Sequence, residues 1–384
     1  MSEFQPAMRL RGIKKSPIRQ LFDRARPNSI NLGLGEPDLP TPDVIRRAAV
    51  RVITEEQNGY TTHAGLPALR ERVAADYPYL EAKQERVIIT AGSQEALYLA
   101  LMTLVDEGDE VLLPDPGFVA YPTIVRMAGG VPVFYNLPAK TDFQFDAEDF
   151  RRKISSRTKI VVCISPSNPT GRALSNEDLA SMAKALRAAG SPYVLSDEIY
   201  RELYYTAERP PSLSEHYAKT LVINGLSKSM SMTGWRIGWL CGDEEVIDSA
   251  LVLHGYVTTC ASTVSQKAAL AAWTEEAAQA RERARQIFQE RRDYLLSLIE
   301  SELNLRAVAP DGAFYTMIDT SAHGTSMQVA EAMLEAGVIT VPGAAFGTEC
   351  ANFLRVSLCA DKPTLLEGVR RMKEALKQMS DVRF

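Results

Sequence analysis

The chain has 384 residues, of which 46% are hydrophobic and 24% are charged, and its formal net charge is −5. This composition is typical of a folded globular protein, and the length favours two domains. Because binding to a phosphate backbone needs concentrated Lys and Arg, the mild acidity argues against nucleic acid as the main partner.

Two further features of the sequence bear on location and redox state. The longest uncharged stretch, residues 249–266, contains His254 and several Ser and Thr residues, so it is a poor membrane span. The charged N-terminal residues do not resemble a secretory signal. The five cysteines are widely spaced and lack a CxxC pair, which favours reduced, mostly buried thiols and no metal site. We therefore predict a cytoplasmic protein without a membrane partner.

Short apolar runs alternate with longer helical patterns between about residues 85 and 245. The runs that we expect to be strands are residues 87–89, 111–113, 160–164, 193–195, 221–223 and 237–240. Because these runs are apolar on both faces, the pattern predicts an α/β fold with a mostly parallel sheet buried between helices.

Helical patterns complete this prediction. Ser175 can cap a helix whose apolar stripe begins at Leu179, and Glu177 and Asp178 suit its positive end. After residue 264 a long helical stretch leads into a second, smaller domain. We predict a large domain over residues 42–285 and a small domain formed by residues 1–41 and 286–384.

Polar residues follow several of the predicted strands. Ser93 and Gln94 follow the first, Asn168 follows the third, Asp197 the fourth and Lys228 the fifth. In an open α/β sheet, ligands collect beyond the carboxyl ends of the strands. We therefore expect these side chains to surround a binding site.

The segment 224–238 places Lys228 at the end of an apolar strand and Arg236 eight residues further on, across a loop of small residues. A lysine amine can form an imine with an aldehyde, and an arginine fork binds a phosphate dianion at two points. This pair predicts a carbonyl cofactor that carries a phosphate.

The residues Asn168, Asp197 and Tyr200, the segment 224–238 and Arg355, in this order along the chain, together resemble the class I/II aminotransferases. The resemblance extends from about residue 17 to residue 371. It implies the fold-type I architecture of pyridoxal-phosphate enzymes, in which a large domain with a mostly parallel central sheet flanked by helices is joined to a smaller α+β domain. It also implies pyridoxal 5'-phosphate as cofactor and Lys228, Asp197 and Tyr200 as catalytic residues.

The resemblance assigns most of the cofactor contacts. Arg236 would bind the phosphate together with a strand-to-helix turn formed by Gly92, Ser93 and Gln94. Asp197 would keep the pyridine nitrogen protonated, since a buried carboxylate favours a neighbouring positive charge. Hydrogen bonds to the ring hydroxyl would come from two further residues, Asn168 and Tyr200.

Three more residues are assigned in the same way. Phe118 would stack on the cofactor ring, where most relatives have Tyr or Trp. Ser227 would add a phosphate contact, although many relatives place that serine three residues before the lysine, where this chain has Gly225. Tyr60 would reach the phosphate in a neighbouring subunit, which implies a homodimer.

The resemblance implies an amino transfer between an amino acid and a 2-oxo acid by a ping-pong mechanism, with Lys228 as general base. The substrate's α-carboxylate would bind Arg355, with help from Asn168 and a backbone N–H of Gly35. Residues 249–266 contain no Lys or Arg, and Ser93 stands where one dicarboxylate-specific branch has Lys. These features favour a neutral or aromatic amino donor.

Other functions stay open at this point. An aspartate-type enzyme is the main alternative, because Arg9, Lys14 or Lys15 could supply the additional cation. The same scaffold supports carbon–sulfur lyases and the sensing domains of some regulators. An unrelated α/β protein that binds another phosphate compound would fail to bind pyridoxal phosphate.

Overall fold

The computed structural model describes residues 4–13, 17–77, 81 and 83–381. Within these residues the helices are α1 (Pro17–Asp23), α2 (Asp43–Glu55), α3 (Pro67–Ala75), α4 (Ser93–Leu104), α5 (Ala120–Met127), α6 (Ala147–Lys153), α7 (Asn176–Ala188), α8 (Glu244–Val257), α9 (Thr263–Ala269), α10 (Glu275–Leu298), α11 (Ser326–Glu335) and α12 (Lys362–Asp381). The strands are β1 (Ile30–Asn31), β2 (Val87–Thr90), β3 (Glu110–Asp115), β4 (Val131–Asn136), β5 (Thr158–Ile164), β6 (Tyr193–Asp197), β7 (Thr220–Gly225), β8 (Gly238–Cys241), β9 (Ala307–Val308), β10 (Tyr315–Asp319), β11 (Val338–Ile339), β12 (Val341–Pro342) and β13 (Phe353–Ser357).

The central sheet has seven strands in the order β2-β8-β7-β6-β5-β3-β4. Neighbouring strands are parallel except at β8, which is antiparallel to both β2 and β7. Each predicted run overlaps one of these strands, with residue 237 lying just before β8, and the prediction of a mostly parallel sheet is confirmed. The sequence analysis did not predict the edge strand β4, which is partly exposed.

Alternate residues of the strands face opposite sides of the sheet, and helices cover both sides. On one side Ile88 and Val111 pack with residues of α4, α5 and α8. On the other side Val161 packs with α6 and α7, and Val87 and Ile89 pack with α2, α3 and α9. Burial on both faces fixes the strands, so the loops at their carboxyl ends start from fixed positions.

Two helix starts show how local sequence positions the chain. The Ser175 hydroxyl accepts a hydrogen bond from the Asp178 N–H at 3.1 Å, and the Asp178 carboxylate accepts one from the Ser175 N–H at 2.9 Å. This capping box begins α7 as the sequence predicts. Helix α4 begins after Gly92, whose φ of +88° lies in the region that favours glycine.

The smaller unit is built on the antiparallel sheet β12-β13-β10-β9 and on the parallel pair β1-β11. Because β1 pairs with β11, the N-terminal segment joins the C-terminal part of the chain. This agrees with grouping residues 1–41 with 286–384, and the division itself stays a prediction. Residue 285 lies inside α10, so this helix links the two parts.

Among the described residues no helix is both long and apolar enough to cross a bilayer. The same residues include no cluster of three or more His, Cys, Asp or Glu side chains that could hold a metal. The cysteines are free thiols. Burial raises the pKa of Cys163 and of Cys359 to about 12, so both thiols are protonated and weakly nucleophilic at neutral pH.

Candidate active site

A cavity of about 370 Å³ lies at the carboxyl edge of the central sheet. Because β8 is antiparallel to its neighbours, its first residue lies at the edge where β2 and β7 end, and this brings Arg236 to the cavity. The predicted site residues that line the cavity are Gly35, Ser93, Gln94, Phe118, Asn168, Asp197, Tyr200, Ser227, Lys228, Arg236 and Arg355.

Lys228 follows β7, and its Nζ donates a hydrogen bond to the Gly35 carbonyl oxygen at 2.7 Å. Burial lowers the pKa of Lys228 to about 8, and the positive charges of Arg355 and Arg236 act in the same direction. A lysine with this pKa is partly neutral in weakly basic solution. Its amine can therefore act as a nucleophile or a base.

Asp197 ends strand β6, and its carboxylate accepts hydrogen bonds from the Tyr121 hydroxyl at 2.8 Å and from the Ile199 N–H at 3.2 Å. Burial raises the pKa of Asp197 to about 6, although both hydrogen bonds lower it. A carboxylate whose ionisation is opposed by burial gains stability from a cation brought beside it. The site is therefore suited to a positively charged ring.

Arg236 adopts a φ of +54° and packs against the turn before α4. Its Nη1 donates to the Thr233 carbonyl at 2.8 Å, and its Nη2 donates to the Ala91 carbonyl at 3.2 Å. Gly92 has a φ of +88°, and a Cβ atom there would lie 2.3 Å from Arg236 Nη2, so both the backbone conformation and the close approach of the guanidinium favour glycine. The guanidinium and the first N–H groups of α4 thus lie side by side, which is an arrangement that binds anions.

Arg355 lies on β13 and is buried, with 4% of its surface exposed. Its Nη1 donates to Asn168 Oδ1 and its Nη2 to the Gly33 carbonyl oxygen, both at 2.6 Å. The described residues offer Arg355 no carboxylate, and its Nε has no partner among them. A buried guanidinium without a counter-ion favours an anionic ligand.

Tyr200 lies next to Tyr315, with their hydroxyl oxygens 3.0 Å apart. The Tyr315 ring also lies against Arg355, with the guanidinium carbon 4.2 Å from the ring centroid. A Cβ atom on Gly35 would lie 1.7 Å from the Tyr315 hydroxyl oxygen, which explains a glycine at this position. The sequence predicts a backbone N–H contact from Gly35, whereas in the structure its carbonyl oxygen is engaged by Lys228.

The remaining predicted residues differ in their placement. The Phe118 ring lies in the cavity wall and packs edge-on against Tyr121, with 5.5 Å between ring centroids. Ser227 is buried in the wall. Tyr60 lies away from this cavity and is 88% exposed. The chain therefore brings together all the predicted cofactor residues except Tyr60.

The sequence analysis missed two site residues. Tyr121, which donates to Asp197, lies three positions after Phe118 and could have been found by following the motif into the helix. The second is Tyr315, to which the sequence analysis assigns no role in the site. Tyr315 lies near Arg355 because β10 and β13 are paired strands, and its contact with Tyr200 joins residues 115 positions apart, which local sequence does not reveal.

The family described as "Aminotransferase class I and II" matches residues 27–372 of this chain. The chain belongs to this family. It is 35% identical over 375 residues to a probable aspartate aminotransferase of Methanocaldococcus jannaschii, and the match covers 95% of this chain and 98% of the relative.

Solved structures agree with this assignment. The structure titled aspartate aminotransferase from Thermus thermophilus with maleate has a TM-score of 0.92 and 34% identity, with 97% of this chain and 100% of that chain covered. An aromatic aminotransferase from Pyrococcus horikoshii has a TM-score of 0.88 and 31% identity, with 94% and 99% covered. The protein is therefore an aminotransferase of fold type I that depends on pyridoxal phosphate.

The residues of this aminotransferase fit that cofactor. The buried carboxylate of Asp197 favours a cationic ring, and the turn at Gly92 beside Arg236 favours a phosphate. Lys228 supplies an amine with a pKa of about 8 in the same cavity. These groups match the aldehyde, the ring nitrogen and the phosphate of pyridoxal phosphate.

Proposed function

We propose that this aminotransferase takes a neutral amino donor, aromatic or aliphatic, rather than a dicarboxylic one. This proposal rests on the charged residues of the cavity. Among the described residues that line it, the basic ones are Lys228, Arg236 and Arg355. In this proposal Lys228 moves the proton, Arg236 binds the cofactor phosphate and Arg355 binds the α-carboxylate. None of the three is then available for a second carboxylate of the substrate. The wall also includes the apolar side chains of Ile18 and Phe346, which favour an apolar substrate side chain.

Pyridoxal phosphate, when bound, withdraws electron density from the α-carbon of the amino acid and carries the amino group between the two substrates. In our proposal Arg236 and the N–H groups of residues 92–94 hold its phosphate. Asp197 holds a positive charge on the ring nitrogen. Asn168 and Tyr200 donate hydrogen bonds to the ring hydroxyl, which stabilise the anionic oxygen.

Lys228 holds and moves the proton. Its neutral amine takes the proton from the substrate α-carbon and returns it on the cofactor side, so the same side chain acts as base and then as acid. The low pKa of Lys228, about 8, supports this role because a lysine with its ordinary pKa of 10.5 would be almost fully protonated at neutral pH.

Arg355 orients the amino acid. Its guanidinium is held by Asn168, by Gly33 and between the rings of Tyr315 and Phe346, so it has one geometry for the incoming α-carboxylate. A charge-assisted hydrogen bond in this buried setting fixes the α-carbon relative to Lys228.

Three further groups complete the proposed cofactor site. Phe118 offers a ring face, Ser227 offers a hydroxyl to the phosphate, and the partner subunit's Tyr60 reaches the same phosphate. Support for a homodimer comes from exposed side chains that a second copy would cover, since Tyr60 is 88% exposed and Tyr256 is 90% exposed. A cytoplasmic location is part of this proposal.

An aspartate-type activity is the second candidate. It is favoured by the names of relatives, which include aspartate aminotransferases at about 35% identity. The additional cation would have to come from the N-terminal segment or from a second copy. Lys14 and Lys15 lie outside the described residues, and Arg9 is exposed.

The test is a half-reaction with the purified, cofactor-loaded protein. Single amino acids are added without any oxo acid, and absorbance follows conversion of the cofactor's aldehyde form into its amine form. We expect rate constants for phenylalanine, tyrosine or leucine at least about tenfold above that for aspartate, because an unpaired buried carboxylate opposes binding.

Each outcome separates the candidates. Faster conversion with aspartate supports the dicarboxylate reading and overturns our proposal on substrate class. Release of ammonia and pyruvate from cysteine or cystathionine without formation of the amine form would indicate carbon–sulfur lyase chemistry.

A further inference from the structure

Helix α8 places a fully buried histidine against the first turn of α4. His254 is 0% exposed, and its Nδ1 lies 2.9 Å from Glu95 Oε1. The Thr258 hydroxyl donates to the same oxygen at 2.8 Å. None of these three side chains lines the cavity that contains Lys228, so the reaction described above does not use them directly.

Glu95 in turn holds the backbone of the turn before α4. Its carboxylate accepts a hydrogen bond from the Ala91 N–H, and its own N–H donates to the Gly92 carbonyl at 3.2 Å. The Ala91 carbonyl accepts the hydrogen bond from Arg236 Nη2. A continuous set of contacts therefore connects His254, through Glu95 and Ala91, to Arg236.

The negative charge of Glu95 affects how the start of α4 can bind a phosphate. An ionised carboxylate in the first turn of a helix interacts favourably with the helix dipole, but it repels a phosphate bound at the same helix end. Burial raises the pKa of Glu95, but hydrogen bonds from His254, the Ala91 N–H and Thr258 outweigh it and leave the pKa below its ordinary value. These donors hold the negative charge of Glu95 and partly offset it.

His254 also leaves one ring nitrogen unused. Its Nε2 is buried and has no hydrogen-bond partner among the described residues. An apolar side chain in this position would avoid that unsatisfied nitrogen, so packing alone does not explain a histidine. The hydrogen bond to Glu95 does explain it.

We propose that His254 and Glu95 are positioning residues for the phosphate end of the cofactor. They fix the turn of Ala91 and Gly92, and thereby the N-terminus of α4 and the guanidinium of Arg236. This inference rests on the proposed function, in which that turn and Arg236 bind the phosphate.

The experiment measures binding of pyridoxamine 5'-phosphate, which forms no covalent bond with Lys228. The amine-loaded enzyme is compared with its His254→Phe and His254→Asn variants by dissociation constant and by the ³¹P NMR signal of the bound phosphate. Loss of one hydrogen bond to a charged group predicts a dissociation constant about tenfold higher for His254→Phe. The ³¹P signal should shift as well. His254→Asn keeps an N–H donor near Nδ1 and should lie closer to the parent.

Two control variants decide the interpretation. Ile247→Val changes a residue that lies on the same helix and is also buried, and the apolar side chain of Ile247 cannot form a hydrogen bond with Glu95. An equal loss of affinity in Ile247→Val and His254→Phe would overturn the inference, because it would reflect general packing. The second control, Arg236→Met, tests the proposed function, because it removes the guanidinium that we propose binds the phosphate.

The remaining outcomes are also distinct. If Arg236→Met weakens binding and His254→Phe does not, the inference fails while the phosphate site stands. If neither variant changes the affinity or the ³¹P signal, the proposed phosphate site is wrong. Should His254→Phe not fold, Thr258→Val removes the other donor to the same oxygen, and unchanged binding there would count against the inference.

Discussion

The guanidinium of Arg291 binds both carboxylate oxygens of Asp38, at 2.6 and 2.9 Å. Arg291 lies on α10 and also donates to the Leu358 carbonyl at 3.3 Å. Asp38 follows the loop whose Gly35 carbonyl accepts the hydrogen bond from Lys228. This ion pair therefore ties the loop beside the lysine to the long helix α10.

We expect Arg291→Met to loosen this loop and to lower the half-reaction rate about tenfold, because misplacing a group beside the reacting centre costs rate. Because Asp38 is about one-third exposed, the loss in unfolding free energy should stay near 2 kcal/mol. Stopped-flow absorbance and urea unfolding measure the two effects. Arg292→Met is the matched control: Arg292 pairs with the exposed Asp293 and lies over the Tyr205 ring. Equal half-reaction rates in Arg291→Met and Arg292→Met would contradict the proposal that the Asp38–Arg291 pair holds the loop in place.

The pKa of Lys228 predicts how quickly the protein without cofactor captures pyridoxal phosphate. Only the neutral amine attacks the aldehyde, and burial has lowered the lysine pKa from 10.5 to about 8. The capture rate should therefore rise with pH and reach half its maximum near pH 8. Stopped-flow absorbance over pH 6–10 measures it, with Lys228→Ala as the variant that lacks the covalent phase. A midpoint near pH 10 would show that the amine is not desolvated.

Asp197 makes a stability prediction for the protein without cofactor. Its folded-state pKa of about 6 exceeds the ordinary value of 3.8, so between these pH values the native state holds more protons than the unfolded state. Stability from this group consequently falls as pH rises from about 4 to 6, and the loss is complete above that window.

Replacing the carboxylate should remove this loss. We expect Asp197→Asn without cofactor to be more stable than the parent at pH 7.5 by up to about 3 kcal/mol, since one pKa unit corresponds to about 1.36 kcal/mol. The gain should shrink toward pH 4. With cofactor bound the order should reverse, because the ring cation is then unpaired in the variant. Thermal unfolding with and without cofactor tests both statements, and a variant less stable in both forms would refute them.

Arg355→Met should remove recognition of the substrate carboxylate. Loss of a buried charge-assisted hydrogen bond costs about 2–5 kcal/mol, which predicts a decrease in kcat/KM of about 30-fold or more for amino acids. The matched amine without a carboxylate, such as phenethylamine against phenylalanine, should react about equally with both proteins. If the variant loses activity toward both compounds in the same proportion, Arg355 acts on the fold rather than on the carboxylate.

How far the sequence predicted the structure can be judged from particular elements. The buried strands were predictable because runs such as residues 160–164 are apolar on both faces. The edge strand β4 was missed because its residues 131–136 are mostly exposed or half-buried and include a proline. The reversed direction of β8 was missed because an apolar run does not encode strand direction.

The site residues also divide into those that the sequence predicts and those that it does not. Lys228, Asp197 and Asn168 lie at or just after the ends of strands, so each could be placed at the sheet edge before the structure was known, whereas Arg236 was proposed from its spacing to Lys228. The contact between Tyr200 and Tyr315 joins residues 115 positions apart. Sequence spacing carries no information about such a contact. The partners of Tyr60 would belong to a second chain.

The reversed strand β8 also limits which molecules this protein can hold. Lys228 and Arg236 are both carried by the connection between β7 and β8, and the turn at Gly92 follows β2, on the other side of β8. Adjacent strands are about 4.8 Å apart. The distance between the backbone at Lys228 and the turn at Gly92 is thus set by backbone hydrogen bonds. An insertion or deletion in residues 226–237 would change that distance. A cofactor analogue with a longer or shorter link between its ring and its phosphate would bind at one end only.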